Sequence, residues 1–307
     1  MVGSTRPDLR LQERLALMAA HLVVALVALV VIGGATRVME AGLACPDWPL
    51  CYGRFLPGQQ MNLQVFLEWF HRLDAFVVGV ALLVLTGVSA FWRQSLPRWL
   101  PWVAAGSLLL VAVQGALGAL TVSQLLAAPL VTAHLATALL LVALVSGLYQ
   151  RLALAGAETE SNSGPAPRWW QALAFGSLLL VVGQCVLGGS MASQWAAQQC
   201  LSSGDGCRWL LAHRQGAAPA AAAVATLALS SLLLPAHQSQ GRGLALGALA
   251  LVVAQVALGV AVLRHQLMLP GITIAHQLVA ALLVALLASA LARSYGRPQA
   301  NLEWAHG

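Results

Sequence analysis

Apolar residues run through this chain in long blocks rather than in alternation. Eight stretches of roughly 20 residues or more are poor in charge: 15–34, 65–91, 101–122, 129–150, 169–190, 208–234, 243–263 and 271–292. A helix rises about 1.5 Å per residue, so blocks of this length match the roughly 30 Å hydrocarbon layer of a bilayer. The pattern predicts eight membrane helices joined by polar loops, an all-α integral membrane fold. What lies outside the blocks is too short to make a soluble domain of its own.

Composition sharpens this reading. The chain is 59% hydrophobic and 8% charged, with a mean hydropathy of +0.79; a soluble domain lacks the interior to hide that much apolar surface. The chain has no lysine, and its arginines are unevenly placed. Arg6, Arg10 and Arg14 precede the first block, Arg93 and Arg98 separate the second and third, Arg151 and Arg168 the fourth and fifth, and Arg242 the sixth and seventh. Arg293 and Arg297 follow the eighth. The other side holds only Arg37, Arg54, Arg208 and Arg264. Arginine-rich loops stay inside, which predicts a multi-pass protein of the cell (inner) membrane with both termini cytoplasmic. The basic isoelectric point is then a topology signal, with no nucleic acid partner implied. The first block follows a basic start, as in a signal peptide, but it is long and lacks a clean small-x-small cleavage site, so it reads as a retained helix.

The blocks repeat. His71 and His134 recur at a single common offset as His213 and His276, and Gln114–Gly118 recurs at nearly the same offset as Gln255–Gly259. Gly33-Gly34 at the end of the first block match Gly188-Gly189 at the end of the fifth, and Cys45 and Cys51 match Cys200 and Cys207. Four helices return a chain to its starting side, so the copies are parallel. This predicts two pseudo-symmetric four-helix bundles, residues 1–154 and 169–307, joined by the polar cytoplasmic linker 155–168.

With the termini inside, every even-numbered helix begins at the outer face. His71, His134, His213 and His276 all fall near such beginnings, in one layer close to the outer surface. A lone histidine at a membrane end is commonly an interfacial or packing residue. Four in register in a duplicated frame are another matter, because ionisable groups in membranes are costly and mark function. Two helices offering one imidazole each make a clamp for a flat metal macrocycle; zinc calls for three or four protein ligands, not two. His21, His237, His265 and His306 have no counterpart in the repeat and read as non-ligands. A Gln-x-x-Leu-Gly pattern recurs at 114–118, 184–188 and 255–259. Its glycines either let helices approach closely or leave room for a porphyrin face.

The cysteines lie in the first and third outer loops, where an oxidising exterior favours the disulfides Cys45–Cys51 and Cys200–Cys207; metal binding by these pairs would need further ligands. Cys185 reads as a packing residue. The halves differ within one motif: the second helix carries Glu68-Trp-Phe-His71-Arg72, its copy Leu210-Leu-Ala-His213-Arg214. Glu68 shares a helix face with His71, and Arg72 borders it. A carboxylate beside a clamped macrocycle can act as a base or stabilise developing positive charge; the alternative is an ion pair with Arg72 alone. Arg72 and Arg214 suit haem propionates, given arginine's bidentate match to carboxylates. Asp74 also differs, facing Gly216 in the copy.

The GGATR segment at 33–37, EWFHR at 68–72, the histidines at 134, 213 and 276 and the paired loop cysteines resemble the haem A synthase family, in its bacterial cysteine-containing type, over nearly the whole chain. The resemblance implies oxidation of the C8 methyl of haem O to the formyl of haem A, by two hydroxylations and loss of water from a geminal diol. It implies a substrate-haem site in the N-terminal half, with His71 and His134 as iron ligands, Arg72 nearby and Glu68 catalytic. The C-terminal half, with His213, His276 and Arg214, would hold a resident haem b cofactor. The implied partners are haem O as substrate, the farnesyltransferase that makes haem O, terminal oxidase assembly factors and an electron acceptor; self-association stays open. A di-haem electron carrier without haem-modifying activity is the rival, although such a carrier typically stacks its haems across the membrane. A haem transporter is the third reading.

Overall fold

The computed structural model describes residues 9–156, 164–204, 207–239 and 241–296. Arg6, Arg297, His306 and half of the expected linker lie outside the described residues. Within the described residues the chain forms nine α-helices: α1 (Leu9–Val38), α2 (Leu63–Phe91), α3 (Leu100–Ser123), α4 (Ala128–Gly156), α5 (Arg168–Ser193), α6 (Ala196–Ser203), α7 (Cys207–Ser231), α8 (Arg242–Arg264) and α9 (Pro270–Ser294). Eight of these coincide with the eight apolar blocks to within a few residues at most ends. The short α6 falls in what the sequence presents as a loop.

Seven of the described helices are long and apolar enough to cross a membrane: α1 to α5, α8 and α9. The chain is a multi-pass helical membrane protein. Helix α7 matches them in length but not in composition, because Arg208, His213, Arg214 and Gln215 crowd its first turns and a run of alanines follows. Pro219 inside it removes one backbone hydrogen bond. The boundaries have local causes. Asn62 caps α2 by accepting the Val65 N–H at 2.9 Å, and prolines stand in the first turns of α3 and α9.

Helices α1, α2, α3 and α4 pack in a closed ring, each touching the next, and α5, α7, α8 and α9 do the same. The two rings meet where α4 and α1 pack on α9 and α4 packs on α5. The core lies where they meet, built from Leu82, Leu85, Leu139, Val142, Val145, Val224, Leu227, Val284 and Leu287. At the C-terminal ends of α4 and α9, Arg151 donates to the Gly296 carbonyl at 2.6 Å and Arg293 to the Gln150 amide oxygen at 2.6 Å, binding the two helices together.

Burial is graded along the helices. Helix α4 has no fully buried residue before Leu139 and α9 none before Ala281, whereas α7 buries only Leu210 before Ala220. The close-packed end thus starts just past the histidines on each of these helices. At the opposite end the packing is looser and the histidines sit within it.

Candidate functional site

The four histidines come together as two pairs. His71 of α2 and His134 of α4 have ring centres 6.4 Å apart with planes crossing at 73°. His213 of α7 and His276 of α9 repeat this at 6.5 Å and 77°. Imidazole nitrogens bind metals at about 2.0–2.1 Å, so an ion held between two imidazoles sets their centres roughly 6.4 Å apart. Among the described residues no group of three or more His, Cys, Asp or Glu side chains is placed to hold a metal ion. Each pair therefore suits a metal that brings its other ligands with it, as a porphyrin does. The Nδ1 atoms of His71, His134 and His276 are buried and lack hydrogen-bond partners, a state that buried polar atoms rarely keep.

Each imidazole rests against a glycine of a neighbouring helix. A Cβ added at Gly33 would stand 2.8 Å from His71 Cε1, at Gly188 2.9 Å from His213 Cε1, at Gly259 3.2 Å from His276 Cε1 and at Gly118 3.7 Å from His134 Cε1. The glycines of the repeated pattern thus make room for the ring of the histidine itself. In both Gly-Gly pairs the second glycine meets the other half: Gly34 lies against Gln277, and a Cβ at Gly189 would stand 2.5 Å from Leu135. Gln277 and Leu135 each directly follow a histidine of the layer.

Glu68 is buried, as is Leu210 at the matching place in the second half (5% and 7% exposed). Its Oε2 accepts the Cys45 N–H at 2.8 Å, and its Oε1 pairs with Arg72 Nη2 at 2.5 Å. The ion pair weighed in the sequence reading is therefore present, within a larger arrangement. Arg72 also donates to the main-chain carbonyls of Asp47 at 2.5 Å, of Leu50, and of Cys45 at 3.4 Å. The Cys45–Cys51 segment wraps around this guanidinium and is closed by a disulfide. Cys45, Cys51 and Val65 are buried there in a small cluster with Met61 and Trp69 at its edge. Asp47 accepts the amides of Tyr52 at 2.6 Å and Gly53 at 2.7 Å, and these donors, Gly53 first, hold its carboxyl below the usual range.

Among the described residues the second half shows no such clasp. Arg214 is exposed, and Cys200 on α6 is bonded to Cys207 at the start of α7. Cys185 is the free thiol among the described residues and packs at the edge of the main core. Arg37, last of the GGATR segment, donates to the Ala192 carbonyl at 2.7 Å and covers the Trp195 ring at 3.7 Å, joining the ends of α1 and α5. Sequence reasoning gave Arg37 no role beyond topology; its partners lie in the other half of the chain and leave no local signal.

The family model of the cytochrome oxidase assembly proteins, COX15-CtaA, matches residues 14–288. A heme A synthase of Sphingopyxis alaskensis is 29% identical over 341 aligned positions, covering 91% of this chain and 92% of that one. A heme A synthase of Shewanella oneidensis is 32% identical over 191 residues, covering 56% of this chain and 54% of the relative; that match spans about half the length of either protein. A protoheme IX farnesyltransferase of Halobacterium salinarum is 31% identical over 140 residues, 45% of this chain and 29% of the relative. With a match that runs from α1 into α9 and takes in both histidine pairs, the chain belongs to the COX15-CtaA family of cytochrome oxidase assembly proteins.

Proposed function

We propose that this chain is a haem A synthase, oxidising the C8 methyl of haem O to the formyl group of haem A for terminal oxidase assembly. The observation that carries the reading is the pairing of four histidines at 6.4 and 6.5 Å in two like sites, of which, among the described residues, one has a buried carboxylate beside it. Family membership and the heme A synthase relatives support it. Two equal sites would suit an electron carrier; one site with Glu68 and one with Leu210 suits a division of labour.

In this reading His71 and His134 hold the substrate haem, while His213 and His276 hold a resident haem b. When bound, haem b supplies one-electron transfer to or from the neighbouring site. Glu68 stands one helical turn before His71 with both oxygens engaged, which fixes its position against Arg72. A fixed carboxylate stabilises positive charge as the substrate methyl is oxidised, and its oxygens can take up a proton. Arg72 is committed to the Cys45–Cys51 loop and to Glu68, so it acts on the substrate by setting that loop over the site. Arg214, exposed in the second half, is free to meet a propionate.

The arginine distribution supports cytoplasmic termini in the inner membrane and a histidine layer toward the outer face. It also requires α7 to be an eighth span. The ring packing and the common offset of the two histidine pairs support two copies of one four-helix unit, 1–154 and 169–307, joined by a linker at 155–168. The partners follow from the chemistry: a farnesyltransferase supplies haem O, oxidase assembly factors take haem A, and an electron acceptor completes the turnover. The test is expression in a host that makes haem O but no haem A, with chromatography of the extracted haems. Haem A appears if the reading holds. Haem O and haem B alone, with the protein present in the membrane, would refute it.

A further inference from the structure

The arginines at the end of the molecule far from the histidines divide into two groups. Arg151 donates to the carbonyls of Ala292 and Gly296, Arg242 to those of Ser231 at 3.0 Å and Leu234 at 2.5 Å, and Arg293 to the Gln150 amide oxygen. Each of these guanidiniums is spent on fastening helix ends. Arg10 and Arg14, in the first two turns of α1, have no hydrogen bond or ion pair among the described residues. Both are exposed, and with Leu11 and Trp92 they line an open cavity of about 310 Å³ between the start of α1 and the end of α2. Arg93, Arg98 and Arg168 are unpaired as well, but they do not line it. The proposed topology puts this end at the cytoplasm.

Charge, depth and the surface beyond the cavity each narrow what would fill it. Arg10 and Arg14 stand four residues apart, so their guanidiniums share one helix face. Glu13 is exposed, unpaired and outside the cavity. Two guanidiniums with no protein counter-charge call for an anion, and their forked N–H donors match phosphate oxygens. Depth is marked by aromatic side chains: Trp92 is 44% exposed, Phe91 79% and Trp102, in the first turn of α3, 80%. Tryptophan collects where headgroups meet hydrocarbon, so the cavity opens at the level of lipid phosphates. Further along the Arg10–Arg14 face, α1 presents Leu17 and Val24, both well exposed. Between them His21 turns its ring back to the Leu17 carbonyl at 2.8 Å. A basic cavity that runs into an exposed apolar stripe matches a phosphate joined to acyl chains better than a soluble anion.

We propose that the cavity between Arg10, Arg14 and Trp92 binds the phosphate head of an anionic phospholipid, with an acyl chain lying along Leu17 and Val24. Basic pockets between helices on the cytoplasmic side attract such heads. A zwitterionic head brings an ammonium group toward the same guanidiniums and binds less well. The bound lipid ties the start of α1 to the end of α2, an end of the first ring where the protein itself leaves these arginines unused. This holds whatever the histidines bind.

The test is native mass spectrometry of the delipidated full-length protein titrated with phosphatidylglycerol or with phosphatidylcholine. Wild type should bind a phosphatidylglycerol roughly tenfold or more tightly than phosphatidylcholine, since each arginine near a membrane surface adds to the attraction for anionic lipid. Arg10→Gln combined with Arg14→Gln should abolish that preference at unchanged helix content. Arg98→Gln combined with Arg168→Gln removes two unpaired guanidiniums outside the cavity and should keep it. Inorganic phosphate, set against chloride at equal ionic strength, should leave the lipid in place. The same preference in wild type and the Arg10/Arg14 variant, or equal loss in both double variants, would overturn the site. Displacement by inorganic phosphate would overturn the lipid as its occupant.

Discussion

Glu68 Oε2 accepts the main-chain N–H of Cys45 at 2.8 Å, so the only buried carboxylate among the described residues is also the tie between helix α2 and the disulfide-closed loop. Position and chemistry are coupled through one side chain. Glu68→Gln keeps an acceptor for Cys45 N–H but loses the charge opposite Arg72. Glu68→Leu copies the second half, where Leu210 is buried in the same place.

Both Glu68 variants should retain haem, because His71 and His134 remain. Haem A formation should fall on the order of a hundredfold or more, the usual cost of removing a fixed charge-stabilising group from a low-dielectric site. Leu210→Glu should leave product formation largely intact. Chromatography of haems extracted from expressing cells is the readout. Near-normal haem A from both Glu68 variants would reduce the residue to a loop fastener.

The glycines make a graded prediction. Gly33→Ala and Gly188→Ala place a Cβ within 2.9 Å of a histidine ring, whereas Gly106→Ala and Gly115→Ala meet nothing within 4 Å. The first two should lose haem with helix content unchanged, since a ring moved by even a few tenths of an ångström no longer aims at the metal. The second two should retain it, and in a helix interior Ala gains about 1 kcal/mol over Gly in intrinsic propensity. Spectra of the purified variants decide; equal haem content in all four would remove the glycine–imidazole contact from the account.

Protein isolated without reductant should yield Cys45–Cys51 and Cys200–Cys207 as linked peptides, with Cys185 as a free thiol. Replacing Cys45 and Cys51 by Ser should cost about 2 kcal/mol of loop stability by chain-entropy reasoning for so short a loop, seen as faster proteolysis between α1 and α2. Alkylation of all four cysteines in the untreated protein would contradict the bridges and the outward placement of both loops.

Much of this was legible from sequence because membrane helices are written in long apolar blocks. Eight helices coincide with those blocks, and a single offset along the chain pairs His71 with His213 and His134 with His276. The cysteine pairing followed from loop position. What stayed hidden depends on contacts between helices. Gly33 and Gly118 are indistinguishable as letters from glycines that merely let backbones approach; only the packing shows an imidazole against each. The sequence offered Arg72 as a propionate partner, but no rule of spacing foretells that the carbonyls of Cys45, Asp47 and Leu50 converge on it. The short α6 was missed because Ala196–Ser203 is polar and flanked by turn residues. Helix α7 reads as a span from its position between loops, while its own composition, with Arg208, Arg214 and a run of alanines, falls short of one.

The division of labour between the halves is the claim on which the rest depends, and haem analysis of four single variants tests it directly. His213→Ala and His276→Ala should each purify as a folded bundle without its resident b-type haem, because losing one of two axial ligands undoes six-coordinate iron. His71→Ala and His134→Ala should keep that haem and its reduced spectrum, yet fail to retain haem O or yield haem A. Loss of the same haem in all four variants, or of none, would contradict the assignment of separate substrate and cofactor sites.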